Sequence, residues 1–149
     1  MITLSFLNRA FLATIFILSG MGKFAQWDAT AQYMTAQGMP LVYFFLLAAG
    51  LLEITAGVLL LIGYRTRVAA TVLTLFLIPV TLIFHDFWNL QGPERQMQMI
   101  NFLKNLAIMG GLIGTVVHGA GRASVDWRRE PERELSKFSK DRDTLRDAA

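Results

Sequence analysis

The chain has 149 residues, of which 54% are hydrophobic and 17% charged, and its formal net charge is +3. Most of the charges follow residue 120, so the preceding part is too apolar for a soluble domain and is typical of an integral membrane protein. The chain has no cysteine, which excludes disulfide, iron–sulfur and thiolate–metal chemistry within it. The basic residues are not gathered on a soluble module, so nucleic acid is not an expected partner, whereas a lipid bilayer is.

The first predicted membrane span covers residues 4–22. Arg9 followed by an apolar run is also typical of a signal peptide, but no small-x-small cleavage site follows and equally hydrophobic segments come later. The sequence therefore predicts an uncleaved span. Lys23 stands at its far end, where a lysine commonly extends its ammonium group to the membrane interface.

Residues 24–40 are too polar to span a membrane. Asp28 is expected to cap a short amphipathic helix in which Trp27 and Tyr33 are interfacial anchors, and Pro40 follows its end. Such a helix serves either as a passive surface element or as a lid over a site, and the sequence leaves both interpretations open.

The second predicted span, residues 41–62, contains a single charge, Glu53. At about 1.5 Å per residue Glu53 lies about 18 Å from the start of the span, near the middle of a roughly 30 Å hydrocarbon layer. A carboxylate there costs roughly 2.5–3.5 kcal/mol, so it must face protein, a partner or water. Gly50 and Gly57 share its helical face and let another helix approach closely.

The third predicted span, residues 68–84, follows a tight turn that carries Arg65 and Arg67, and Pro79 predicts a kink. One seam of this span is polar, with residues at steps of three and four: Thr71, Thr74, Thr81 and His85. Threonines often bond their own helix backbone, so only the histidine at the end of the seam is a specific signal.

The fourth predicted span, residues 100–117, follows an aromatic and polar connector over residues 86–99 that contains Trp88. The start of the span has a polar face formed by Asn101, Lys104 and Asn105. Lys104 lies about one turn inside the membrane between two asparagines, so we expect it to point inward and to be hydrogen-bonded.

Residues 1–127 are predicted to form one all-α membrane domain, a four-helix bundle with a short interfacial helix, and residues 128–149 a polar tail. Basic residues place both termini and the middle loop in the cytoplasm, because cytoplasmic loops are enriched in lysine and arginine. The residues that indicate this are Arg9, Arg65, Arg67, Arg122, Arg128 and Arg129, against Lys23 and Arg95 on the opposite side.

This topology places the candidate ligand or proton site in the outer half of the bundle. The non-cytoplasmic ends of the spans carry Lys23, His85, Asn101, Lys104 and Asn105, with Trp88 in the adjacent connector. Glu53 points toward them, because helical Cβ atoms tilt toward the helix N-terminus. Its estimated depth gap to Lys104 is about 12 Å, so water, Asn105 or a ligand would bridge the two.

These positions resemble the DoxX family of small four-span bacterial membrane proteins over roughly residues 5–127. The matching positions are Ser19-Gly20 with Lys23, Glu53 with Gly57, Gly63 with Thr66-Arg67, His85 with Phe87 and Trp88, Asn101-x-x-Lys104-Asn105 before Gly110-Gly111, and Gly119-Ala120-Gly121-x-x-Ser124-x-Asp126. The resemblance implies a bacterial cytoplasmic (inner) membrane protein with links to thiosulfate–quinone oxidoreduction and oxidative-stress assemblies. It supplies no agreed catalytic mechanism.

Three functions follow as alternatives. In the first, the protein is an accessory subunit or component of a quinone-linked oxidoreductase. Glu53 and His85 would then exchange protons, Lys104 or Lys23 would polarise a quinone carbonyl, and Trp88 with Phe87 would wall the ring. A separate protein would donate the electrons, because no flavin, haem or metal site is evident in the sequence.

In the second, the charged cluster is a buried polar lock in a non-enzymatic scaffold whose tail recruits a soluble partner. The third is a small-molecule or proton carrier, which four spans without an inverted repeat would support only as a homo-oligomer.

Overall fold

A computed structural model describes residues 2–129. Its helices are α1 (Ile2–Ala25), α2 (Trp27–Ala36), α3 (Val42–Ile62), α4 (Thr66–Phe84) and α5 (Gly92–His118), with a 3-10 turn at Phe87–Asn89. The segments long and apolar enough to cross a membrane are Leu4–Ala25, Val42–Ile62, Thr66–Asn89 and Gly92–His118. The predicted all-α architecture with four such helices is confirmed. Residues 130–149, most of the predicted polar tail, lie outside the described residues.

The four long helices form a bundle in which α1 packs against α3 and α5, and α4 packs against the same two helices. Small and branched apolar side chains fill the centre, among them Ala13, Leu60, Leu73 and Leu112. Helix α2 lies against the first turns of α3, where Met34 contacts a buried cluster around Leu46. We call this side of the bundle the α2 end, and the side with the α3–α4 turn the Gly63 end.

Helices α1 and α3 are antiparallel and approach closely at glycines. A Cβ atom on Gly20 of α1 would lie 2.7 Å from Ile54 Cγ1 and 2.9 Å from the Gly50 carbonyl oxygen. On α3, a Cβ at Gly57 would lie 2.8 Å from Ile17 Cγ1. The glycine face predicted around Glu53 is therefore the face that contacts α1, and it sets the spacing of the two helices.

The Gly63 end is closed by a buried arginine. Arg9 is 1% exposed, and its guanidinium donates hydrogen bonds to the carbonyl oxygens of Leu60 and Leu61 (3.0 and 2.8 Å) and of Ala123. From the sequence, Arg9 was interpreted only as a marker of membrane topology. Its guanidinium instead joins the end of α3 to the chain after α5, because two of its hydrogen bonds reach α3 carbonyls and one reaches the carbonyl of Ala123.

Asp126 fastens the returning chain to the start of α4. Its carboxylate accepts the backbone N–H groups of Arg65 and Thr66, each at 2.8 Å, and its own N–H donates to the Gly63 carbonyl at 2.8 Å. Gly63 has φ +72°, and a Cβ there would overlap Ser124 and Arg9. Gly63, Ser124 and Asp126, which belong to the short motifs of the sequence, thus lie together where the α3–α4 turn meets the returning chain.

Two element predictions were wrong at their boundaries. Helix α5 begins at Gly92, so much of the predicted connector 86–99 is helical; Pro93 and Glu94 in its first turn are favourable helix-start residues. Asp28 does not cap α2, because that helix begins at Trp27 and Asp28 lies within its first turn. There the carboxylate still interacts favourably with the helix dipole.

The close α1–α3 contact predicts that Gly20→Ala will destabilise the bundle by about 1–3 kcal/mol, because the new methyl group meets backbone as well as side-chain atoms. Gly22→Ala is the matched control on the same helix, with no atom within 4 Å of the added Cβ, and it should be neutral or stabilising by up to about 1 kcal/mol. Thermal unfolding of both variants in one mild detergent checks this. Equal melting temperatures would contradict the contact.

Candidate functional site

The α2 end contains a cavity of about 950 Å³. All five helices contribute to its walls, which are mainly apolar and include Phe16, Leu77 and Ile83. Its polar and ionisable lining residues include Ser19, Lys23, Thr30, Tyr33, Glu53, His85 and Asn105. An apolar cavity with a few converging polar groups is the usual form of a small-molecule site.

An ion pair between α1 and α3 lies on the cavity wall. Lys23 Nζ donates to Glu53 Oε2 at 2.6 Å, and the side chains are 23% and 5% exposed. Ser19 donates its hydroxyl to Glu53 Oε1 at 3.2 Å and accepts a hydrogen bond from Lys23 Nζ at 2.9 Å. Ser19 and Lys23 are one helical turn apart and face α3 together. Both carboxylate oxygens are thus satisfied, and the buried charge is neutralised within the bundle.

The structure corrects the interpretation of Lys23 as a lysine that merely extends to the interface. Because α2 covers the first turns of α3, Glu53 lies level with the last turn of α1 and within reach of Lys23. Glu53 was expected to point toward a cluster that included both Lys23 and Lys104; it contacts Lys23, whereas Lys104 is not among the residues that line the cavity. A pairing signal was present in the sequence, since Lys23 lies about one turn after Gly20, the residue that lets α3 approach.

Lys104 does not line the cavity. Its side chain is exposed and borders a separate shallow groove on α5 with Asn101, Gln96 and Pro93. The predicted inward, hydrogen-bonded placement of Lys104 is therefore wrong. The inward positions of this part of α5 are occupied by Asn105 and Ile108, and a helix turns about 100° between Lys104 and Asn105.

Asn105 and His85 do line the cavity, and each ties α5 to α4. Asn105 donates to the buried Thr81 hydroxyl at 3.0 Å. His85 Nδ1 lies 2.8 Å from Gln98 Oε1 in a hydrogen bond. Gln98, which the sequence placed in the connector, is thus a partner that sequence reasoning missed. The other threonines of the polar seam make only local hydrogen bonds, because Thr71 and Thr74 donate to their own helix backbone.

Trp88 lies away from the cavity. Its ring packs edge-to-face with Phe87 and Phe102, at centroid distances of 5.3 and 6.1 Å. The expectation that Trp88 and Phe87 wall a bound ring is therefore wrong for these positions. The cluster instead holds the 3-10 turn against α5.

Helix α2 forms one wall of the cavity through Thr30, Tyr33 and Met34. The Tyr33 hydroxyl donates to the Phe84 carbonyl oxygen at 3.2 Å, and the two rings stack with centroids 5.6 Å apart. The connection to α3 passes through two left-handed residues, Gly38 (φ 72°) and Leu41 (φ 49°). Of the two sequence interpretations, the position of α2 favours a cover over a site.

The cavity also reaches the outer side of the bundle. Helices α1 and α5 meet toward the Gly63 end, where Asn8 donates to the Thr115 hydroxyl at 3.0 Å and Leu12 faces Gly111. At the α2 end, α5 instead bonds to α4 and its following turn. Ile15 and Ile83 line the cavity and are 45% and 40% exposed. The chamber is therefore continuous with the apolar outer surface.

Fold and cavity together define the chain as a small helical membrane protein with a partly enclosed, mainly apolar chamber. The DoxX family model matches residues 4–86, and the chain belongs to the DoxX family. That assignment confirms the resemblance drawn from the short motifs.

Relatives in Escherichia coli K12 cover most of both chains. Inner membrane protein YphA is 32% identical over 120 residues (80% of this chain and 86% of the relative). Inner membrane protein YqjF is 34% identical over 118 residues (79% and 85%). A surfeit locus protein 4 homolog of Schizosaccharomyces pombe is 33% identical over 82 residues, 54% of this chain and 27% of the relative. No solved structure matches the chain.

Removing Lys23 should cost more stability than removing both members of the ion pair. Lys23→Met leaves Glu53 buried and uncompensated and is expected to destabilise by about 3 kcal/mol, whereas Lys23→Met with Glu53→Met removes that penalty. Lys104→Met, an exposed lysine, should change stability by less than about 0.5 kcal/mol. Thermal unfolding of the four proteins checks this order. Equal effects of Lys23→Met and Lys104→Met would refute the pairing.

Proposed function

We propose that the protein binds a membrane-dissolved, quinone-like molecule in its cavity and acts as an accessory subunit of a quinone-linked or oxidative-stress oxidoreductase system in the bacterial cytoplasmic membrane. The observation that supports this most is the apolar chamber of about 950 Å³ with the Lys23–Glu53 pair on its wall. Its volume is within the range of about 300–1,000 Å³ that small-molecule sites occupy.

The polar groups on the wall suit a ring with carbonyl or hydroxyl oxygens. The Lys23 ammonium has three N–H donors, of which Glu53 and Ser19 accept two, so one remains for a ligand oxygen. Glu53 is the carboxylate available to accept from a ligand hydroxyl, and the His85 imidazole is a second polar group on the cavity wall. These residues bind and orient the molecule, while a separate protein supplies or removes electrons.

Continuity of the cavity with the outer surface supports loading from the bilayer. A ligand with an apolar tail would place its polar ring beside Lys23 and leave the tail along Ile15 and Ile83, the partly exposed lining residues. Such a ligand never has to leave hydrocarbon, which keeps the cost of desolvating its tail low.

The alternative of a non-enzymatic scaffold is favoured by one observation. Within the described chain, both oxygens of Glu53 have hydrogen-bond partners, so the pair needs no ligand to be satisfied. A buried ion pair of this kind fixes the register of two helices while adding little net stability. The two functions differ in whether the cavity takes up a quinone.

For topology, we propose that both termini and the α3–α4 turn face the cytoplasm. Arg65, Arg67, Arg122 and Arg128 are exposed at the Gly63 end, whereas the opposite end exposes Arg95 and Lys104. This asymmetry agrees with the enrichment of basic residues in cytoplasmic loops.

Quinone binding is tested by titrating the purified full-length protein with a short-tailed benzoquinone and a short-tailed naphthoquinone. We expect saturable binding that weakens about tenfold or more in Lys23→Gln, since a hydrogen bond to a charged group is lost. Ala49→Phe should abolish binding by filling the chamber without changing its charge. Lys104→Gln is the matched control and should bind like the unmodified chain. No binding of either quinone to folded protein would reject this function and leave the scaffold.

Topology is tested with single cysteines, because the chain has none of its own. Gln91→Cys at the α2 end should react with a membrane-impermeant maleimide in intact spheroplasts. Arg128→Cys at the Gly63 end should react only after the membrane is permeabilised. The reverse pattern would invert the proposed orientation.

A further inference from the structure

The Gly63 end carries a basic face that neither the cavity nor the ion pair uses. Its exposed arginines are Arg65, Arg67, Arg122, Arg128 and Arg129. They come from the α3–α4 turn and from the chain that returns after α5. Asp126, the acidic residue of these two segments within the described chain, turns its carboxylate oxygens to the backbone N–H groups of Arg65 and Thr66.

Two of these guanidinium groups converge on one aromatic ring. The Arg65 and Arg129 guanidinium carbons lie 5.8 and 5.0 Å from the centroid of the Tyr64 ring. At the same end of the bundle, Arg122 lies 5.4 Å from the ring centroid of Trp127. Among residues 2–129, neither Arg65 nor Arg129 pairs with a carboxylate. Two positive charges near one ring repel each other, and a bound anion would reduce that repulsion.

The backbone that holds these arginines is firmly placed. Arg65 has φ 47° and its N–H donates to Asp126, three residues before Arg129. The Asp126 N–H in turn donates to the Gly63 carbonyl, and buried Arg9 donates to the carbonyl of Leu61 in α3 and to that of Ala123 in the returning chain. The two arginines are thus presented by segments fixed to each other, so their backbone needs no further ordering when an anion binds.

The surroundings of Arg65 and Arg129 favour the binding of an amphipathic anion. Exposed apolar side chains lie next to the guanidinium groups in sequence: Ile62 is 47% exposed, Val68 59% and Trp127 46%. Arginine provides planar, bidentate donors for phosphate oxygens, and tryptophan and tyrosine concentrate at the level of lipid headgroups. Charge and apolar surface together match a phosphate attached to acyl chains better than a soluble anion.

We propose that Arg65 and Arg129, supported by the Tyr64 ring, hold the phosphate of an anionic phospholipid. The lipid belongs to the leaflet that the Gly63 end contacts, and its acyl chains lie along the exposed apolar side chains at the ends of α3 and α4. The site is independent of the cavity at the α2 end. It would anchor the returning chain, and with it the start of the polar tail, to the membrane surface.

The test measures lipids retained by the full-length protein in mild detergent, using native mass spectrometry during titration with phosphatidylglycerol or phosphatidylcholine. We expect a preference for phosphatidylglycerol that falls about fivefold in Arg129→Gln and further in Arg65→Gln with Arg129→Gln. A basic side chain near an anionic membrane surface contributes on the order of 1 kcal/mol, which is about fivefold. Arg95→Gln at the opposite end removes the same charge and should leave the preference unchanged.

Melting temperatures in lipid-free detergent show whether each variant folds, and phosphatidylglycerol should raise that of the unmodified chain more than that of the double variant. Equal loss in Arg129→Gln and Arg95→Gln, or no loss in the double variant, would overturn the proposal. Equal protection by millimolar inorganic phosphate would also overturn it, because the ligand would then be a free anion. If the chain's own acidic residues 130–134 filled the site, the double variant would retain phosphatidylglycerol like the unmodified chain.

Discussion

The structure depends on how one carboxylate is accommodated in the apolar interior of a membrane protein. Glu53 is nearly buried, and an isolated charge in hydrocarbon is costly, so the bundle must supply a counter-charge. Lys23 supplies it, while Gly20 and Gly57 let α1 come close enough for the two side chains to meet. The ion pair therefore joins α1 to α3 at the level where the glycines let the two helices approach.

The two ends of the bundle use their buried polar side chains in different ways. At the Gly63 end, Arg9 and Asp126 satisfy backbone groups at the end of α3 and the start of α4, and the helices close together. At the α2 end, the Lys23–Glu53 pair lies on the wall of a chamber whose lining also includes helix α2. The Gly63 end is thus closely packed, and the α2 end encloses a space large enough for a small molecule. The proposed quinone-like ligand and the proposed phospholipid would thus occupy opposite ends.

The sequence predicted the positions of the helices better than the contacts between their side chains. Hydrophobic length identified four spans, and the glycines beside Glu53 correctly indicated a close helix contact, because these signals are local. The choice between Lys23 and Lys104 as the counter-charge depends on helix order and on α2 covering the start of α3, neither of which has a local signal. The structural role of Arg9 likewise had no local signal, since its acceptors are carbonyls on α3 and in the chain after α5. Of the predicted site residues, His85 and Asn105 line the cavity, whereas Trp88 and Asn101 belong to other surfaces.

The most direct measurement of the central claim is solid-state NMR of the full-length protein in lipid bilayers, with ¹⁵N in lysine side chains and ¹³C in glutamate carboxylates. The account predicts a strong dipolar coupling between Lys23 Nζ and Glu53 Cδ, as expected for a direct hydrogen-bonded ion pair, and its loss in Lys23→Gln but not in Lys104→Gln. A Glu53 coupling that survives Lys23→Gln and disappears in Lys104→Gln, or no lysine coupling to Glu53 at all, would contradict it.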